Sequence, residues 1–216
     1  MTKFNSTTAI LSDLDGVILD LNYDMKFWTD WLPNTLALET GKSSAEVKAD
    51  IKSMMSDQEA SLNWYDLNYW DELLGIDSLE IIKNQEERCS FLKGSEDALK
   101  KIASLNNPKY ILTNGDPRLF DFKSESANFL DYFDSHICSM HLGYAKEQKE
   151  FWALAGQYLK VNLKNSIFID DNFKVVTSAV NAGVGQVYWI NPGRQKTLAN
   201  GVMTYPTLVE LVDAII

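Results

Sequence analysis

This chain has little cysteine, histidine and arginine, no long apolar run, and too few positive charges to balance its negative ones. Its two cysteines, Cys89 and Cys138, fall in a predicted helix and a predicted strand, with no Cys-x-x-Cys or Cys/His spacing around them. That excludes a disulfide framework and a thiolate metal centre, and leaves reduced packing residues. A formal charge of −10, with arginine only at positions 88, 118 and 194, argues against a nucleic-acid partner, because affinity for that backbone comes from clustered Lys and Arg. No apolar stretch approaches the length that spans a bilayer, and the polar segment Met1–Ser6 leads straight into a strand-like run. The expectation is a cytoplasmic protein with no membrane partner. What is present, 216 residues of which 45% are hydrophobic and 23% charged, suffices for one sizeable core and a second small domain.

The richest stretch is Thr8-Ala-Ile-Leu-Ser-Asp13-Leu-Asp15-Gly16-Val17. An apolar run of this length ending in glycine reads as a buried strand. Side chains alternate along a strand, so Asp13 and Asp15 can point the same way at its C-terminal edge, where open α/β sheets bind ligands. Two like charges that close call for a proton or a divalent cation such as Mg2+, which takes oxygen ligands and phosphate oxygens. A calcium loop would need further oxygen ligands at alternate positions, and Val17, Ile18 and Leu19 are apolar there.

After that strand the pattern stays helical from about Tyr23 to about Phe91. The spacing predicts a helix from Asp24 to Thr40 closed by Gly41, and another opened by the capping box Ser43-Ser-Ala-Glu46. Two more are predicted over Leu62–Leu74 and Ser78–Leu92, then a break at Gly94 and a helix over Glu96–Leu105. Strand-like runs then return at Lys109–Thr113, Ser135–Ser139, Asn165–Asp170 and Gln186–Ile190, with helical stretches between. Such alternation implies parallel strands and crossover helices. The expected architecture is therefore α/β: a Rossmann-like parallel sheet from residues 1–18 and 93–216, interrupted by an all-helical domain at 19–92.

Three later strand ends carry chemistry. Leu112-Thr113-Asn114-Gly115-Asp116-Pro117 stops a strand at a small hydroxyl and places proline at the first position of a helix. Thr113 and the backbone N–H groups near Asn114 would suit phosphate oxygens, with Asp116 as a possible helix cap. Ile167-Phe-Ile-Asp170-Asp171 repeats the first strand's pattern, and two acidic strand ends in one sheet point to a metal site. Between them, Lys146 or Lys149 could lean over the same crevice, either being equally open to a surface role. His141 reads as a hydrogen-bonded loop residue rather than a base.

In this order the segments Asp13-Leu-Asp15-Gly16, Leu112-Thr113-Asn114, Lys146 and Phe168-Ile-Asp170-Asp171 resemble the haloacid dehalogenase-like (HAD) hydrolase superfamily, and the helical insertion resembles its C1-type cap. The lysine is followed by Glu147 where that superfamily often has proline. The resemblance implies Asp13 as nucleophile, forming an aspartyl-phosphate, and Asp15 as the acid that protonates the leaving group and then the base for water. Thr113, backbone N–H groups near Asn114 and Lys146 would hold the phosphoryl oxygens. It also implies Mg2+ held by Asp13, the backbone carbonyl of Asp15, Asp171 directly, and Asp170 directly or through water. Dehalogenases of the superfamily carry tyrosine where Asp15 stands and phosphonate-cleaving members alanine, so phosphate-ester chemistry is implied, although a phosphomutase would share these residues.

The insertion is rich in aromatics, with Phe27-Trp28-x-x-Trp31 and Trp64-Tyr65-x-x-x-Tyr69-Trp70. Helical spacing places Trp28 beside Trp31 and Tyr65 beside Tyr69. Most of these rings are expected to form the core of a small helical domain, with one or two free to stack on a flat base. Phe27-Trp28, the run Leu62 to Asp77 and Tyr144-x-Lys146-Glu147 narrow the resemblance to the bacterial purine nucleotidases of the superfamily. That implies a small phosphorylated metabolite as substrate, specifically purine nucleoside 5′-monophosphates such as GMP and IMP. A sugar phosphate, or a non-catalytic role in binding a phosphometabolite, are the alternatives. Monomer and dimer are left open.

Overall fold

In a computed structural model, which describes residues 7–59, 61–193, 198–199 and 201–216, the apolar runs become the strands of one sheet. These are β1 (Ala9–Ser12), β2 (Lys109–Thr113), β3 (Ser135–Cys138), β4 (Ser166–Asp170), β5 (Gln186–Ile190), β6 (Leu198–Ala199) and β7 (Val202–Tyr205). Their spatial order is β3-β2-β1-β4-β5-β7-β6, parallel except for β6, which runs antiparallel to β7. The chain builds outward from β1 through β2 to β3, then returns to lay β4 on the other side of β1. That reversal opens a crevice at the carboxyl ends of β1 and β4, the place where such sheets bind ligands.

The helices are α1 (Asn22–Lys26), α2 (Leu32–Thr40), α3 (Ser44–Asp57), α4 (Leu67–Leu74), α5 (Ser78–Lys83), α6 (Ser95–Ala103), α7 (Pro117–Ala127), α8 (Lys149–Leu159), α9 (Phe173–Asn181) and α10 (Leu208–Ile215). Alternation in the strands divides the core between two faces. Leu11, Leu112 and Phe168 pack against Phe151, Trp152 and Ala155 of α8 and Val175, Val176 and Ala179 of α9. Ile10, Ile111, Ile167 and Ile169 face the other way, onto Ala98, Leu99 and Ile102 of α6 and Leu208, Leu211 and Val212 of α10. A sheet covered on both faces explains strands that read as near-continuous apolar runs.

Helices α1 to α5 all fall between β1 and β2, in an excursion whose ends run side by side. Asp20 N–H donates to Ser90 O (2.9 Å) and Leu92 N–H to Ile18 O (2.8 Å), while Leu19 bridges both Asp15 and Phe91. Inside the excursion Trp70 is fully buried and meets Trp28 edge-on at 5.5 Å. Trp31 packs instead on Tyr23, at 5.2 Å, and Tyr69 on Trp70, also at 5.2 Å, so the pairings expected from regular helical spacing are replaced.

The cause is local. The helix expected over Asp24–Thr40 contains a π-helical turn at Phe27–Trp31. Pro33 offers no N–H to the carbonyl four residues back, and the helix widens ahead of it, rotating the rings that follow. Gly41 closes α2 at φ 73°, and Ser43 and Glu46 form the reciprocal capping box. The stretch expected as one helix over Leu62–Leu74 is a 3-10 turn at Leu62–Trp64 followed by α4, with Asp66 as its cap. The helix expected to run to Leu92 ends at Lys83, because Ser90 and Phe91 pair with Asp20 and Leu19 and tertiary pairing overrides helix propensity. Cys89 therefore lies in irregular chain rather than in a helix, while Cys138 ends β3. Both are free and buried.

Candidate active site

The register of the sheet assembles the acidic groups. Ser12 is opposite Ile169, and the next step places Asp13, just beyond the end of β1, beside Asp170, with Asp13 N–H donating to Ile169 O at 2.8 Å. Asp13, Asp170 and Asp171 each present a carboxylate oxygen, and these atoms lie within 4.8 Å of one another. Gly16, at φ +81°, lets the turn after Asp15 close directly on this cluster: a Cβ there would stand 2.1 Å from Asp171 Oδ2. The glycine is therefore required twice, by the backbone and by the carboxylate it faces.

Lys146 holds the cluster together. Its side chain is 2% exposed, and its Nζ lies 2.8 Å from Asp13 Oδ1 and 2.7 Å from Asp170 Oδ2. The third ammonium proton goes to Leu112 O at 3.0 Å. Of the two candidate lysines this is the one in the crevice, since the side chain of Lys149 is 88% exposed. Burial and then Asp170 push Asp13 up to about 8, against the pull of Lys146. Burial and then Asp13 push Asp171 up to about 7, and burial raises Asp170 to about 6. Burial alone would lower Lys146, but Asp13 and Asp170 outweigh it and hold the ammonium above its usual range. Three carboxylates with one ammonium leave the cluster short of positive charge, and an all-oxygen donor set suits a hard divalent cation.

Thr113 and Asn114 flank the crevice from β2. Thr113 Oγ1 accepts from Gly115 N–H at 2.9 Å, so one of the backbone donors expected to face a phosphate is turned back on the threonine, whose own hydroxyl proton stays a donor. The Asn114 side chain braces the lysine segment, accepting from Lys146 N–H (2.9 Å) and donating to Glu147 Oε2 (2.9 Å). Glu147 also accepts from the Tyr65 hydroxyl (2.7 Å), tying the helical excursion to the mouth of the crevice. Asp116 caps α7 through Arg118 N–H (2.8 Å) and, with its other oxygen, accepts from Leu67 N–H at the start of α4 (2.9 Å). His141 Nδ1 accepts from Cys138 N–H at 3.4 Å, a loop contact.

Asp15 lies outside the three-carboxylate cluster. Its Oδ1 accepts from Lys123 Nζ at 2.7 Å, and the same nitrogen lies 2.6 Å from Asp24 Oδ2 on α1. Lys123 was missed in the sequence because lysines are ordinarily solvated. A signal existed, since Lys123 follows Phe120 by three residues on α7 and so lies on the buried face.

A doubly covered, mostly parallel sheet with three carboxylates gathered at its switch point is the arrangement in which α/β enzymes bind their ligands. Residues 7–183 match the family described as haloacid dehalogenase-like hydrolase, and the chain belongs to that family. It is 26% identical over 176 residues, 82% of this chain and 79% of the relative, to the GMP/IMP nucleotidase YrfG of Escherichia coli (strain K12). Among solved structures it resembles a HAD phosphatase from Thermococcus onnurineus, with a TM-score of 0.81 and 23% identity, covering 96% of this chain and 97% of that one. It also resembles the L-2-haloacid dehalogenase from Xanthobacter autotrophicus, with a TM-score of 0.62 and 17% identity, covering 96% and 98%. Both likenesses are of fold. No helix among the described residues is long and apolar enough to cross a membrane.

Proposed function

We propose that this hydrolase is a Mg2+-dependent phosphomonoesterase acting on purine nucleoside 5′-monophosphates. The observation that carries the reading is the Asp13 carboxylate, set 2.8 Å from the Lys146 ammonium and within 4.8 Å of the oxygens of Asp170 and Asp171. Asp13, the Asp15 carbonyl and Asp171 would hold Mg2+, with Asp170 oriented by Asn172 N–H (2.7 Å) and Lys146 as direct or water-bridged ligand. When bound, the cation neutralises phosphoryl oxygens beside the carboxylates. Asp13 attacks phosphorus while Asp15 gives a proton to the leaving alkoxide, and Asp15 then takes one from the water that frees Asp13. Thr113, backbone N–H groups near Asn114 and Lys146, whose N–H directed at Asp13 Oδ1 turns to the phosphoryl group as Asp13 attacks, hold the remaining oxygens as charge shifts.

Residues 19–92 act as a C1-type cap over a core of 1–18 and 93–216. The aromatic insertion, together with the 26% identity to a GMP/IMP nucleotidase, favours a purine substrate over a sugar phosphate. The test is phosphate release from GMP, IMP, AMP, pyrimidine monophosphates and sugar phosphates, with Mg2+ or EDTA. Mg2+-dependent release highest for GMP and IMP is the expected result. Preference for sugar phosphates would overturn the substrate, an isomerised product with no free phosphate would point to a mutase, and no turnover would leave a binding module.

A further inference from the structure

Lys123 is 2% exposed and sits where three segments meet: the turn after β1, helix α1 of the insertion, and its own helix α7. Its ammonium is the shared partner of Asp15 Oδ1 (2.7 Å) and Asp24 Oδ2 (2.6 Å), whose side chains are 16% and 21% exposed. An ammonium only donates, so it holds Asp15 Oδ1 as an acceptor and leaves Oδ2 as the oxygen turned away from it. The other oxygen, Oδ2, lies toward the loop after β2, 3.9 Å from where a Cβ on Gly115 would stand. That loop is the one expected to receive the phosphoryl group.

We propose that Lys123 is a positioning residue for phosphoryl transfer: by holding Asp15 Oδ1 it turns Oδ2 toward the departing oxygen, with Asp24 fixing the ammonium from the insertion side. As the bond between phosphorus and the leaving oxygen breaks and the Asp13–phosphorus bond forms, the proton passes from Asp15 Oδ2 to that oxygen. Asp15 is left a carboxylate, still paired to Lys123, and takes a proton back from the attacking water in the second step. The inference rests on Asp15 being the acid of the proposed phosphatase. It adds that the acid is aimed by a residue outside the motif positions and by a carboxylate that belongs to the insertion, so the docking of α1 is coupled to the acid's orientation.

Leaving-group dependence separates aiming from mere folding. GMP departs as an alkoxide that needs the proton, whereas p-nitrophenyl phosphate leaves as a stable phenolate; comparing kcat/KM for the two reads the first step alone. Lys123→Met should lower the GMP to p-nitrophenyl ratio on the order of 10²-fold, the usual size of a general-acid effect. If that variant does not fold, Asp24→Asn, which loosens one grip and keeps side-chain shape, should lower the same ratio about three- to tenfold. Asp15→Asn is the control and should lower the ratio at least as far as Lys123→Met. An equal loss on both substrates in the Lys123 and Asp24 variants, with Asp15→Asn still selective, would overturn the role of Lys123 and leave the phosphatase reading standing. An unselective Asp15→Asn would remove the acid assignment itself.

Discussion

Replacing Lys146 with methionine tests how the acidic cluster is held. The change deletes an ammonium that touches Asp13 Oδ1, Asp170 Oδ2 and Leu112 O, and substitutes an apolar chain of similar length in a site 1% exposed. Loss of hydrogen bonds to charged groups contributes about 2 kcal/mol at any pH. The rest depends on pH. Without the ammonium, Asp13 and Asp170 each hold a proton further up the pH scale than the about 8 and about 6 set by burial and neighbouring charges in the native protein. An acid whose folded-state affinity for protons exceeds its unfolded value loses stability as pH rises, because the folded state binds more protons. One additional proton retained between pH 6 and pH 8 is worth about 2.7 kcal/mol. In metal-free buffer the variant should therefore be about 2 kcal/mol less stable at pH 6 and about 5 kcal/mol less stable at pH 8. The larger figure matches the range for orphaning a buried charge. Urea denaturation at the two pH values reads it directly. An equal loss at both would refute the claim that Lys146 compensates buried carboxylates.

Gly16→Ala should cost about 1–3 kcal/mol from its positive φ alone, and its Cβ, 2.1 Å from Asp171 Oδ2, should displace that carboxylate; a urea midpoint shift together with weakened Mg2+ binding checks it. Asp171→Ala removes an acid raised to about 7, first by burial and then by Asp13. Such a group destabilises the folded state increasingly from its unfolded value to its folded one, so the metal-free variant should be more stable than the native protein by about 2–4 kcal/mol at pH 8 and by less at pH 5. The same variant should gain little thermal stability from added Mg2+, whereas the native protein should gain, because a cation that binds only the folded form stabilises it. Parallel melting curves for the two proteins with Mg2+ would place the cation elsewhere.

Much of this arrangement was legible in the chain. The apolar runs placed β2, β3, β4 and β5 to within a residue, because strands covered on both faces have largely apolar interiors that stand out from the turns around them. The acidic pairs were visible because each follows such a run. The two-residue β6 and β7 went unplaced, since Leu198–Tyr205 carries no uninterrupted apolar run and the pairing of β7 with β5 is tertiary. The π-helical turn was hidden in a regular pattern whose one irregularity was Pro33. Lys123 escaped for a different reason. Its neighbours in space, Asp15 and Asp24, lie 108 and 99 residues away in the chain, and local periodicity cannot report a contact that only the fold creates. Glu147 was noticed for its position after Lys146, but its bridge from Asn114 to Tyr65 depends on how the insertion folds back on the crevice.

The most direct test of the account is to find the phosphoryl group on the protein. The enzyme would be mixed with GMP and Mg2+, quenched in acid within the first turnover, and its peptides analysed by mass spectrometry. An acid-stable, base-labile phosphoryl adduct on the peptide carrying Asp13, absent from Asp13→Asn, is the result expected of a nucleophilic carboxylate. Rapid GMP hydrolysis with no adduct at any time, or an undiminished rate in the Asp13→Asn enzyme, would contradict it.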